Sequence, residues 1–318
     1  MLKIGIIGAG IISKSHISAI RKNSKVKLES IADINREKAD KIANQYEITP
    51  YYDYKDMVQN ENLDAVIINL PHFLHKECSI YCMEKGLHCL VEKPMATSSK
   101  DCDDMIRSAE YNGVKLMIGH VQRYFSENIK AKEIIQSGEL GKIAFIVDIR
   151  NGLYITPQRP AWYLQKQLSG GGIMMNLGAH SMDKIIWLTD SNIKSIAGKV
   201  GSFNQQYDIE EYAQAFVELE NGVSASINLS GCASFPVNET RIYLSEGEIL
   251  IRTGIGLWVS KGSEYEKVDI QSKTDIFELQ LNDFVSSIID HKDSPIPGIY
   301  GKRIISAIEQ VYQSIKEV

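Results

Sequence analysis

Leu2-Lys3-Ile4-Gly5-Ile6-Ile7-Gly8-Ala9-Gly10-Ile11-Ile12-Ser13 joins an apolar run to a turn, and the turn opens an amphipathic stretch, Ser13 to Arg21. A strand that stops at G-x-G-x-x-small and leads straight into a helix is the entry to a βαβ unit that binds a dinucleotide. Gly8 allows the tight turn, Gly10 lets the backbone approach a pyrophosphate, and the helix N-terminus receives the phosphate charge. Asp33 stands twenty residues beyond Ser13, at the end of the next strand-like run, Leu28 to Ala32. A carboxylate there hydrogen-bonds ribose hydroxyls and repels a 2′-phosphate, which favours NAD over NADP. Arg36, three residues on, offers the opposite pairing and keeps NADP as the second option. His16, on the first helix, reads as a packing or capping residue.

Working outward, strand-like runs at Ala65 to Asn69, His88 to Val91 and Lys115 to Ile118 alternate with helical stretches at Arg36 to Tyr46, His75 to Lys85 and Lys100 to Asn112. Near-continuous apolar strands separated by helices mean a parallel sheet covered on both faces. Residues 1–120 are therefore expected to form an α/β, doubly wound Rossmann domain. Beyond residue 120 the rhythm changes. A helix, Ser126 to Ser137, is followed by strands at Ile143 to Arg150, Ile193 to Val200, Tyr212 to Leu219, Val223 to Leu229, Arg241 to Leu244 and Ile249 to Ile251. Short turns such as Glu220-Asn221-Gly222 signal hairpins. One helix, Met174 to Leu188, interrupts the strands, and two, Ile276 to Asp290 and Tyr300 to Glu317, close the chain. Residues 121–318 are expected to form one α+β domain on a large, mostly antiparallel open sheet.

Composition bounds the partners. The 318 residues carry 35 Lys and Arg against 40 Asp and Glu, with no block of like charge, which argues against a nucleic-acid groove or a polybasic membrane patch. No apolar run reaches the ~18 residues of a membrane span. The apolar stretch Ile4 to Ile12 is broken by Gly5, Gly8 and Gly10 and is followed by no A-x-A-like cleavage site. Five cysteines are an odd count for a disulfide framework and read as reduced core thiols. A cytoplasmic protein with a small-molecule partner is the expectation. The crowding of His72, His75, Cys78, Cys82, His88 and Cys89 lacks metal-ligand spacing, and no metal is expected.

Loops at the carboxyl ends of strands line the ligand crevice of an open α/β sheet. Two such loops, Leu70-Pro71-His72-Phe73-Leu74-His75 and Glu92-Lys93-Pro94, should face the dinucleotide, with Lys93 near its nicotinamide end. In the second domain Ser169-Gly170-Gly171-Gly172 reads as a flexible entry to a helix on which Asn176, His180 and Asp183 share one face. That polar stripe is expected to face a cleft, where the near-neutral pKa of an imidazole suits His180 to acid–base work; a core histidine bonded to Asp183 is the alternative. Arg159, before Pro160, offers a phosphate or carboxylate site, or is a solvated surface arginine.

Taken together, the glycine turn, Leu70-Pro71 with His75, Glu92-Lys93-Pro94, Arg123-Tyr124, Trp162 and the glycine-to-Asp183 stretch resemble the glucose-fructose oxidoreductase / inositol dehydrogenase / MocA (Gfo/Idh/MocA) family over nearly the whole chain. The resemblance implies an NAD(P)-dependent dehydrogenase or reductase of sugars, cyclitols and their derivatives, built as a homodimer or homotetramer through the C-terminal sheet. It implies that Lys93 contacts substrate and nicotinamide and that His180 is the acid–base residue. The cofactor would lie on Gly8, Gly10, Ile11, Ile12, Asp33, Leu70, Pro71, His75, Glu92, Lys93, Arg123 and Trp162. An Asp is commonest in the family where this chain has Asn176; an amide bonds a substrate hydroxyl but does not stabilise an imidazolium, which makes His180 a weaker base and shifts proton traffic towards Lys93.

The expected chemistry is reversible oxidation of a secondary alcohol. His180 takes the hydroxyl proton, the Lys93 ammonium stabilises the oxyanion, and Asn176 and Arg159 position the substrate. Two rivals share the scaffold: a non-catalytic dinucleotide-binding sensor, and a redox-assisted glycosidase.

Overall fold

The computed structural model describes residues 1–270 and 274–314. The chain divides into two compact units, Met1–Gly119 with Asp275–Lys302, and His120–Thr274 with Arg303–Val318.

In the first unit β1 (Leu2–Ile7), α1 (Ser13–Lys22), β2 (Val26–Ala32), α2 (Arg36–Tyr46), β3 (Thr49–Tyr51), α3 (Tyr54–Asn60), β4 (Ala65–Ile68), α4 (His75–Glu84), β5 (His88–Val91), α5 (Ser99–Tyr111) and β6 (Leu116–Ile118) follow one another. All neighbouring strands pair in parallel, in the order β3-β2-β1-β4-β5-β6. This is the Rossmann order, and its reversal between β1 and β4 opens a crevice at the carboxyl ends of the strands. Ile4, Ile6, Ile7, Val66, Ile67, Ile68, Leu90 and Val91 are buried, as strands covered on both faces require. Asn35 and Ser98 cap α2 and α5 by accepting the N–H groups of Lys38 and Asp101. The sequence pattern does not show β3 or α3. β3 is three residues long and carries Pro50, which a sheet tolerates at its edge.

The second unit contains α6 (Ser126–Ser137), β7 (Ile143–Asn151), a one-turn α7 (Lys166–Ser169), α8 (Ala179–Thr189), β8 (Ile193–Gly201), β9 (Tyr212–Leu219), β10 (Ser224–Ser230), β11 (Val237–Leu244), β12 (Gly247–Arg252), β13 (Gly256–Ser260) and β14 (Glu266–Lys267). The eight strands form one sheet, β14-β13-β12-β11-β7-β10-β9-β8, antiparallel except for the β7–β10 pair. In β9, Ala213, Ala215, Val217 and Leu219 are buried while Gln214, Phe216 and Glu218 are exposed, the period-2 mark of a sheet with one covered face.

α9 (Ile276–Ile289) and α10 (Gly298–Ser314) close the described chain, and Glu317 of the expected last helix lies outside the described residues. Here the structure departs from a simple division at residue 120, because Asp275–Lys302 belongs to the first unit. Phe277 packs edge-on to His16 at 5.0 Å, Asn23 donates to Asn282 at 2.8 Å, and the Ile118 N–H donates to the Ile296 carbonyl at 2.9 Å. An amphipathic pattern shows that a helix has a face to bury, not which earlier element it will cover. Among the described residues no helix is long and apolar enough to cross a membrane. Four of the five cysteines are buried and free, whereas Cys232 is exposed and is not a core thiol.

Candidate active site

The sheet ladder of the first unit runs past the strand ends and sets four loops along one edge. Gly8 N–H donates to Ala32, Asn69 N–H to Ile7, Glu92 N–H to Ile68 and Gly119 N–H to Val91. Gly8 has φ +98, and a Cβ there would lie 2.6 Å from the Asn69 carbonyl oxygen, so the turn admits only glycine. Gly10 is different: a Cβ on it would meet nothing within 4 Å. Open space above a helix N-terminus is what a pyrophosphate needs. Ile11 is 94% exposed beside it, Ile12 stands at the N-cap position of α1, and Ser13 is fully buried where helix packs on strand. Asp33 accepts the Ala9 N–H at 2.7 Å and the Asn35 N–H at 2.8 Å. These residues fit a dinucleotide.

Leu70 and Pro71 are half-buried, and behind them lies His75 with no exposed surface. Its Nδ1 is 2.9 Å from the Pro94 carbonyl and its Nε2 2.8 Å from the Leu70 carbonyl. Burial pushes the His75 pKa down against those two carbonyls. His75 thus clamps the two loops from behind, and its ring does not reach their surface, contrary to its expected place on the cofactor. Glu92 is tied on both oxygens, to His16 Nε2 at 2.9 Å and to the Lys93 N–H at 3.2 Å. Burial opposes its ionisation, but His16 and Lys93 overcome it and hold the carboxyl below its usual range. Lys93, half-buried, precedes a cis peptide bond to Pro94.

In the second unit the glycine triplet is packed rather than flexible. A Cβ on Gly172 would lie 2.1 Å from the Glu210 carbonyl oxygen, and one on Gly171 2.0 Å from the Tyr312 hydroxyl. Glu210 in turn accepts the Met174 N–H at 3.0 Å and the Tyr312 hydroxyl at 2.7 Å. Residues Met174–Gly178 then form a π-helical turn before α8, a feature frequent at functional sites. Asn176 on that turn is mostly buried and His180 half-buried. Asp183 is fully buried and accepts the Gln122 backbone N–H at 3.2 Å, so the expected polar stripe does not face a cleft along its whole length. His180 Nδ1 lies 3.4 Å from the side-chain nitrogen of Gln122. Gln122, in the turn Gln122–Tyr124 with Arg123, is missed by sequence reasoning because no spacing marks it.

Arg159 is half-buried, with its guanidinium 4.1 Å from the centre of the Tyr154 ring and 5.0 Å from that of Tyr163, and its Nε donates to the Tyr154 carbonyl. Tyr163 stacks on Trp162 at 3.8 Å. Burial pushes the Tyr154 phenol up, with Arg159 and Asn176 acting in the opposite direction. Two aromatic faces and one carbonyl hold Arg159 in place, and it is not a solvated surface arginine.

Residues 2–120 match a family described as an oxidoreductase family with an NAD-binding Rossmann fold, and residues 128–250 match the GFO/IDH/MocA C-terminal domain. The chain belongs to the GFO/IDH/MocA oxidoreductase family. The resemblance drawn from its motifs therefore names the right family. Among GFO/IDH/MocA relatives, the chain is 26% identical over 246 residues to 1-carboxy-3-chloro-3,4-dihydroxycyclo hexa-1,5-diene dehydrogenase of Comamonas testosteroni, covering 77% of this chain and 62% of that protein. It is 28% identical over 244 residues to glucose-6-phosphate 3-dehydrogenase of Bacillus subtilis, covering 73% and 69%. The fold is that of the crystal structure of aldose-aldose oxidoreductase from Caulobacter crescentus complexed with glycerol, with a TM-score of 0.91 at 22% identity over 99% of this chain and 98% of that one.

Proposed function

We propose that the protein is an NAD(P)-dependent dehydrogenase or reductase of a secondary alcohol on a sugar, a cyclitol or a derivative of one, with NAD as the preferred cofactor. The observation that carries this reading is the pairing of Asp33 with Ala9 beside the open Gly10 backbone. A carboxylate held at that point accepts ribose hydroxyls and repels a 2′-phosphate. Gly8, Gly10, Ile11, Ile12, Asp33, Leu70, Pro71 and Glu92 would hold the dinucleotide, with Arg123 and Trp162 assigned to it by resemblance alone. When bound, the cofactor supplies a hydride acceptor at C4 of its nicotinamide.

Lys93 and His180 are the proposed catalytic residues, dividing between them the uptake of the hydroxyl proton and the hydrogen bond that stabilises charge on the oxygen. Asn176 is proposed to bond a substrate hydroxyl. Arg159 is proposed to bind an anionic group; the substrates named for the Comamonas and Bacillus relatives carry a carboxylate and a phosphate. Four buried free thiols fit a reducing compartment and support a cytoplasmic protein. On the open sheet face Phe145 stacks with Tyr243 at 4.4 Å and Phe216 is 57% exposed, which supports a homo-oligomer built through that sheet.

The test is a screen of sugars, cyclitols and their acids and phosphates with NAD+ and NADP+ separately, followed by nicotinamide absorbance. Turnover abolished by His180→Ala supports the assignment. Tight NAD+ binding with no turnover of any compound would point to a sensor, and sugar release without net reduced cofactor to a glycosidase.

A further inference from the structure

A buried polar network in the second unit ends on His180 and decides which ring nitrogen carries the proton. Arg150 Nη2 donates to Gln122 Oε1 at 3.2 Å. A guanidinium only donates, so Gln122 must turn its oxygen to Arg150 and its amide nitrogen away, to the point 3.4 Å from His180 Nδ1. The amide nitrogen also only donates. Nδ1 is therefore the acceptor, and the proton of the neutral ring sits on Nε2. We propose that Gln122 is a positioning residue that holds His180 as its Nε2–H tautomer, so that the imidazole meets a substrate oxygen as a hydrogen-bond donor and not as a proton acceptor. This rests on the reading of His180 as a residue that handles the substrate oxygen.

The network leaves Gln122 little freedom. Its backbone N–H is held by Asp183, and its carbonyl accepts the Asn128 side-chain amide at 2.7 Å. Arg150 is anchored through Nε to Asp148 at 3.3 Å, and the other Asp148 oxygen accepts Thr240 Oγ1 at 2.5 Å and Lys184 Nζ at 3.3 Å. Gln122, Asn128, Asp148, Arg150, Asp183 and Lys184 are all buried. Around Gln122 the charged and titratable groups in contact include Arg150 and Asp183, with His120 4.0 Å from the Asp183 carboxylate. A proton on Nδ1 would set two donors against each other, and turning the amide over would set its NH2 against the guanidinium. An imidazolium meets the same opposition. The substrate oxygen keeps its hydrogen bond from His180 throughout, the role of a neutral imidazole electrophile.

Two-bond nitrogen–proton correlation spectra of protein labelled with 15N-histidine, at a pH where the ring is neutral, test this directly. The His180 signals are assigned by their loss in His180→Gln. The expected pattern in the wild-type protein is an unprotonated Nδ1 and a protonated Nε2. In Gln122→Glu, whose carboxylate accepts from both Arg150 and the ring, the pattern inverts; in Gln122→Met, of similar volume and without polar atoms, both tautomers appear. A wild-type spectrum showing Nδ1–H overturns the inference, as does an unchanged Nε2–H pattern in both variants. A wild-type Nδ1–H pattern overturns the inference even if neither variant folds. No substrate is needed, so failure here leaves the oxidoreductase assignment standing, and failure of the turnover screen leaves the spectrum as it is.

Discussion

The Asp33 carboxylate accepts the Ala9 N–H at 2.7 Å, tying the end of β2 to the glycine turn after β1. Arg36, the residue that would welcome a 2′-phosphate, lies instead over the Tyr52 ring at 4.4 Å, and the Tyr52 hydroxyl donates to Asp40 at 2.9 Å. Asp33→Ala is expected to weaken NAD+ by about 10- to 100-fold, the equivalent of losing one or two hydrogen bonds to a charged group. NADP+ should lose much less, since the repelling charge is gone. Calorimetric titration with both cofactors checks this, and equal weakening of the two would remove Asp33 from the discrimination.

Gly8 and Gly10 should separate fold from binding. Gly8→Ala puts a methyl 2.6 Å from a backbone oxygen at φ +98 and is expected to lower the melting temperature. Gly10→Ala adds its methyl to open space, so the fold should be unaffected or slightly firmer, yet NAD+ affinity should fall at least about tenfold because the methyl occupies the phosphate's approach. Thermal unfolding with and without NAD+ reads both effects. Unchanged NAD+ stabilisation in Gly10→Ala would move the pyrophosphate elsewhere.

The parallel sheet is legible because buried strands read as unbroken apolar runs, Ala65 to Ile68 among them, and because the glycine turn has a steric cause that shows in residue types. What is not legible has equally physical reasons. β3 carries a proline at a sheet edge, and the first half of β11 contains Asn238, Glu239 and Thr240, of which Thr240 faces inward to meet Asp148. Local pattern cannot say that Phe277 packs on His16, 261 positions apart in the chain. Nor does it reveal Gln122, whose importance comes from a guanidinium on one side and an imidazole on the other, both supplied by distant strands and helices.

Glu92 is fastened to His16 and to the backbone of its neighbour Lys93. Glu92→Ala leaves a buried His16 Nε2 without its acceptor and is expected to cost about 1–3 kcal/mol. Glu92→Gln retains an oxygen for His16 while losing the second bond to the Lys93 N–H, and should fall between wild type and Glu92→Ala. Urea unfolding gives the order. If Glu92→Ala proved as stable as the wild type, the His16–Glu92 contact would carry no stabilising role.

Arg159 sits between two tyrosine rings with Nε committed to the Tyr154 carbonyl. If it binds an anionic group, Arg159→Gln should raise KM for a sugar phosphate or sugar acid by about 10- to 100-fold with little change in kcat, the mark of binding shared by ground and transition states. The neutral parent sugar should be indifferent to the change. Equal losses on charged and neutral substrates would make Arg159 a support for the Tyr154 loop instead.

Asp148 is fully buried between Lys184 and Arg150. Burial opposes its charge, but the two cations overcome that cost and hold the carboxyl well below the carboxylate range, while burial pulls Lys184 down to about 8 against the attraction of Asp148. Because the folded pKa of Asp148 is depressed, its contribution to stability is complete only above about pH 5, where an unfolded aspartate is almost fully ionised. Below that point the unfolded chain binds a proton that the folded one refuses, so stability drops as the solution is acidified towards the folded pKa. Asp148→Asn is expected to lose about 3–5 kcal/mol at neutral pH, because it leaves two buried cations without their counter-ion, and to show a shallower fall on acidification. The double variant Asp148→Asn, Lys184→Met removes a charge of each sign and should recover part of the loss. Urea midpoints for the three proteins at pH 7, 5 and 3.5 test both points. An Asp148→Asn curve parallel to the wild type across that range would mean that Asp148 titrates alike in the folded and unfolded chains.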